Sequence, residues 1–76
     1  MRYASTEEIL QAIREHPSLF MAEYAAMLYP DHIDSWDFGM IKQNVAGKIQ
    51  RLRMTGRVRP IMQTTSARIH KWEAVE

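Results

Sequence analysis

The stretch IKQNVAGKIQRLRMTGRVRP, residues 41–60, governs how the rest of the chain is read: it holds six Lys or Arg and no acid. Together with Phe38 just upstream, its Ile41, Val45, Ile49 and Leu52 fall at i, i+3, i+7, i+11 and i+14. At ~100° per residue these five side chains lie within about 40° of one direction, the pattern of a helix with a single buried stripe. Gly56 stops the pattern, because glycine accepts the left-handed conformation with which helices often end. The helix is expected over about residues 36–55. Asp34 and Ser35 suit its N-cap, and Asp37 in the first turn favours the positive end of the helix dipole.

Upstream, STEEILQAIREHP opens at Ser5 with Glu8 three residues on, a capping box in which each side chain satisfies the other's backbone N–H. A first helix is expected over about 6–15, with Ile9, Leu10 and Ile13 buried, and Pro17 ends it by restricting His16. Leu19 and Phe20 read as a short extended entry to the core. AEYAAML, residues 22–28, gives a second helix over about 21–28 that Pro30 closes. Downstream, RVRPIM and ARIHKW are β-like runs joined by the polar QTTS, which predicts a hairpin over about 57–73. Pro60 cannot donate to a ladder, so its strand belongs at an edge. The fold class is therefore mainly α with a small β-hairpin, in one domain over residues 1–76.

Composition narrows the chemistry. The 76 residues include no cysteine, which excludes disulfides, thiolate zinc sites and a cysteine nucleophile and leaves apolar packing to hold the fold. The first ten residues carry acids where a secretory signal needs an apolar run, and no apolar stretch approaches the ~20 residues that span a bilayer. A cytoplasmic protein without a membrane partner is expected. The formal net charge of +1 conceals an asymmetry. Residues 1–37 carry two basic residues against seven acids, net −5, and residues 38–72 carry eight basic residues and no acid, net +8. Such a division points to a polyanionic partner.

The order helix, short strand, helix, helix, hairpin resembles the winged helix-turn-helix family of DNA-binding domains. The run VAGKIQRLRMTGRV looks like the family's third helix ending in a glycine before the first wing strand, and Trp72 matches the aromatic residue that often closes the second. Among families of this length the small fimbrial-operon regulators are similar. The resemblance implies that the third helix enters the major groove of double-stranded DNA and the wing touches the flanking backbone, in transcriptional regulation. The sequence departs from the family in two places. The link from Leu28 to Phe38 is longer and more acidic than the usual ~3–4-residue turn, and Met21 stands where a Ser or Thr cap is common.

Opposite the Val45 stripe point Met40, Gln43, Gly47, Gln50 and Met54, flanked by Asn44 and Arg51 on one side and Ala46 and Arg53 on the other. Gln and Asn pair with the N6 and N7 edge of adenine and Arg with guanine O6 and N7, so Gln43, Asn44, Gln50 and Arg51 are the candidate base readers. Gly47 costs roughly 1 kcal/mol against Ala in an exposed helix; a DNA groove or a neighbouring helix coming close would each explain it. Lys42 and Lys48 border the stripe and suit phosphate contacts, as do Arg57, Arg59 and Arg68 around the hairpin and the hydroxyls of Thr64 and Thr65 at its tip. Neutralising roughly 5–7 phosphates would give a slope of log affinity against log salt near −5 to −6.

Other groupings lead nowhere specific. Asp31, His32 and Asp34 lack the ligand spacing of a calcium loop and the ligand count of zinc. His70 reads as partly buried structure. No nucleophile motif or glycine-rich phosphate loop is present, so neither an enzyme nor a cofactor is expected. Tyr29, Trp36 and Phe38 read as a satellite core, and the six methionines as adaptable filler or a sticky protein surface. The alternative to DNA binding is a protein-interaction module on the same scaffold, or a small inhibitor of phage or mobile-element type that grips a nucleic-acid-processing complex. RNA binding and a homodimer stay open.

Overall fold

A computed structural model describes residues 3–61 and 71–75. The elements follow in the order α1 (Thr6–Glu15), β1 (Leu19–Phe20), α2 (Met21–Leu28), a 3₁₀ turn (Pro30–His32), α3 (Phe38–Met54), β2 (Val58–Ile61) and β3 (Lys71–Ala74). The three strands form one antiparallel sheet in the order β1-β3-β2, so the hairpin expected from sequence is completed by the short strand between the first two helices. Among the described residues no helix is long and apolar enough to cross a membrane.

α1 begins as its capping box dictates: the Glu8 N–H donates to Ser5 Oγ at 3.1 Å and the Ser5 N–H donates to Glu8 Oε1 at 3.0 Å. α2 has no hydroxyl cap, and Glu23 substitutes by accepting the Phe20 N–H at 3.0 Å. That contact answers the missing Ser or Thr at Met21, since a carboxylate three residues in satisfies one of the orphan donors at the helix start.

The long link between α2 and α3 is a staircase. His32 N donates to Tyr29 O, Ser35 N to His32 O and Phe38 N to Ser35 O, at 3.0, 2.9 and 3.1 Å, so each three-residue step closes a turn. α3 starts at Phe38, later than the earliest start the sequence allows. Neither Asp34 nor Ser35 is its N-cap: Asp37 occupies that position and makes no side-chain cap hydrogen bond. The far end closes as Gly56 predicts. With φ at +77°, Gly56 donates to Arg53 O and Arg57 donates to Leu52 O, a Schellman ending that satisfies two carbonyls of the last turn.

The core sits where the three helices meet the inner face of the sheet. Ile9, Leu10 and Ile13 of α1, Tyr24 and Ala25 of α2, and Ile41, Val45, Ile49 and Leu52 of α3 are buried there together with Val58 and Trp72. Tyr24 also fastens the sheet to the helices: its hydroxyl donates to His16 O at 2.7 Å, lies 3.3 Å from Trp72 O and is approached by the Leu19 N–H at 3.4 Å. Burial pushes the Tyr24 hydroxyl's pKa up.

β3 runs to Ala74, one residue past the end expected at about residue 73, with Val58 opposite Ala74 and Arg59 opposite Glu73. β2 is an edge strand, as Pro60 requires. The aromatic satellite core does not form as expected: Tyr29 is buried and Phe38 half-buried, but Trp36 is 89% exposed. Thr64, Thr65, Arg68 and His70, expected from sequence around the hairpin tip, lie outside the described residues.

Candidate nucleic-acid interface

The buried stripe of α3 fixes which of its residues face outward. Met40, Gln43, Gly47, Gln50 and Met54 are all exposed, and Met40 and Met54 reach 58% and 86%. A Cβ built on Gly47 meets nothing within 4 Å, so no neighbouring helix among the described residues explains this glycine.

The cations of α3 border this face. Lys42 and Arg53, eleven residues apart, share one flank within roughly 20° of each other at ~100° per residue, and Lys48 and Arg51 share the other within roughly 60°. About 160° of helix surface lies between Arg53 and Arg51 by the same geometry, and every side chain on it is uncharged. The positive groups are thus divided between two rims of one open face. Gln43, Asn44, Gly47, Lys48 and Arg51 line a shallow open depression along one of these rims.

The candidate residues differ in how free they are. Gln43, Gln50 and Arg51 are exposed, and Arg51 has no ion-pair partner among the described residues. Arg53, which the sequence reading places on the flank without a contact role, is equally exposed and without an ion-pair partner among the described residues, and its spacing from Lys42 is the signal that identifies it. Lys42 is exposed, with its Nζ 5.6 Å from the centroid of the Phe38 ring. Asn44 is half-buried at the edge of the outer face, and its Oδ1 is enclosed without a donor.

Three expected phosphate contacts are engaged within the chain. Lys48 Nζ donates to Ala4 O at 2.5 Å and stands 5.8 Å from the Tyr3 ring centroid. Arg57 grips Glu7 in α1 with Nη1 to Oε1 at 2.5 Å and Nη2 to Oε2 at 3.4 Å. The same guanidinium holds the Glu7 carboxyl below its ordinary pKa, chiefly through this hydrogen bond and then through its charge. Arg59 Nε donates to Glu73 Oε2 across the β2–β3 ladder. Sequence separations of 50 and 14 hid these two pairs from spacing arguments; placing Glu73 within the second strand would have revealed the latter.

The Asp31, His32 and Asp34 group does not converge. Among the described residues no three His, Asp or Glu side chains gather as metal ligands, and His32 instead packs edge-on against the Tyr29 ring with centroids 6.4 Å apart. Comparisons of the chain with protein-family models, with curated proteins and with solved structures returned no match.

Proposed function

We propose that the chain is a winged helix-turn-helix protein that binds double-stranded DNA in transcriptional regulation, with α3 in the major groove and the β2–β3 hairpin on the flanking backbone. It is a binding protein, not an enzyme, and acts in the cytoplasm. The observation that carries this proposal is the outer face of α3: open, uncharged and rimmed by cations on both sides. A major groove ≈ 12 Å wide accepts a helix ≈ 10–12 Å across and presents base edges to its centre and a phosphate strand to each flank. The order of elements and the pairing of β1 with β3 support the winged-helix assignment.

Salt titration is the direct test. Fluorescence anisotropy of a labelled random-sequence duplex, followed from low to moderate salt, should give a log–log slope of about −3 or steeper if at least Lys42, Arg51 and Arg53 displace counterions. A slope near zero, or no binding at low salt, overturns the proposal.

The exposure of Trp36, Met40 and Met54 favours a second reading, in which the same face grips a protein. Its signature would be a tight complex with an acidic protein that added duplex does not compete away.

A further inference from the structure

We infer that the duplex taken by α3 is A·T-rich, read at adenine by Gln43 and Gln50 and at thymine by Met54. This inference rests on groove binding by α3 and names which base pairs that groove must present.

The argument is one of chemistry by position. Side chains at the centre of a helix lying in the major groove meet base edges, and those on its flanks meet phosphates. In α3 the arginines, which would read guanine O6 and N7, stand on the flanks, and Lys48 is turned to the Ala4 carbonyl. The central positions hold two amides and the thioether of Met54, while Met40, eleven residues from Arg51, lies beside it at the rim. An amide forms its paired hydrogen bonds with the N6 and N7 edge of adenine, and an apolar tip rests against the C5-methyl of thymine. Gln43, Gln50, Met40 and Met54 are all exposed, and Gly47 between them presents no side chain. The bare backbone at Gly47 lets the helix axis sink until the short reach of the glutamines suffices.

Register sharpens the expectation. Gln43 and Gln50 are seven residues apart, about 10 Å along the axis at 1.5 Å per residue. With ~3.4 Å between successive nucleotides of a strand, that is about three base-pair steps, so the favoured site has adenines roughly three positions apart.

The experiment compares the intact protein on three labelled duplexes at fixed salt: an A·T-rich duplex, the same duplex with 7-deazaadenine for adenine and uracil for thymine, and a G·C-rich duplex. Removing N7 takes away one of each glutamine's two bonds, and removing the methyl takes away the thioether contact. Affinity for the A·T-rich duplex should exceed that for either of the others by about tenfold or more, the scale of one good base contact. The Gln43→Ala, Gln50→Ala double variant should lose this preference and keep the salt slope, while Arg51→Ala should keep the preference and flatten the slope by about 1.

Equal binding to all three duplexes overturns the inference and leaves duplex binding intact. So does a preference for guanine that disappears with Arg51→Ala. Binding to none of them removes both this inference and the proposal beneath it. The base-analogue comparison uses no protein variant, so a folding defect cannot obscure it.

Discussion

Both α1 and α3 bury one stripe of side chains in the same core and expose the other, but exposed side chains of α1 pair within the chain where the outermost ones of α3 do not. At α1 the N-terminus is doubly capped, Glu7 holds Arg57 and Gln11 Nε2 donates to Glu15 at 3.0 Å. α3 lacks a side-chain cap, carries two exposed glycines and exposes two methionines. Helix stability alone would favour Ala and a capping residue at such positions. The difference sets α1 apart as a helix finished for stability and the outer side of α3 as one that is not, in line with the proposed role of that face.

The sharpest way to break that contrast is to truncate the two faces of α3 in turn. Ile49 is fully buried, and Ile49→Ala should cost about 2–5 kcal/mol, the range for such a cavity. Met54→Ala should change stability by less than about 0.5 kcal/mol, as a free surface position does. Urea denaturation of the pair reads both values. A cost at Met54 near that at Ile49 would mean that the outer face is part of the fold.

Gly47→Ala is smaller and opposite in sign. The new methyl meets no neighbour, so the helix should gain up to ~1 kcal/mol and the melting temperature should rise by roughly 4–8 °C. Duplex affinity should fall, because the methyl stands where the groove floor would come closest. A variant that melts higher and binds equally well would deny Gly47 any part in contact.

What could be read from the chain without coordinates divides along the same line as the two helices. α1 was legible because its signals are local: Ser5, Glu8 and the stripe from Ile9 to Ile13 lie within one short segment. The inner stripe of α3 and its end at Gly56 were legible for the same reason, and the outward set followed by subtraction. The start of α3 was obscured because the staircase from Tyr29 to Phe38 runs on backbone bonds that leave no trace in side-chain type. Trp36 was misread because apolar character gives no direction: a turn residue ahead of a helix points wherever the turn aims it, here to solvent. The charge balance of the basic half was overstated. Arg57 and Arg59 find their carboxylates only once α1 and β3 have been folded against β2, and no linear count contains that.

The Arg57–Glu7 pair joins the two helices' regions, and breaking it is the subtlest test of their division of labour. Glu7 titrates below its ordinary 4.5 in the folded protein because Arg57 stabilises the carboxylate. A depressed folded pKa adds stability above the unfolded value, and that contribution is lost as pH falls through the folded one. Thermal melts of the Glu7→Gln variant should therefore lie slightly below wild type at neutral pH and converge with it in acid, below about pH 4.5. The effect should be small because both side chains are exposed to water. Glu7 also sits in the first turn of α1, where any anion favours the helix dipole. An Arg57→Gln background isolates the part that Arg57 supplies, since the helix dipole and the charge of Arg14 remain there. Glu7→Gln also removes the carboxylate that Arg57 grips beside α3. If the guanidinium then turns to a phosphate, the salt slope of duplex binding should steepen by about 0.9, one further counterion. An unchanged slope would assign Arg57 to the scaffold with α1 and confine the binding surface to α3.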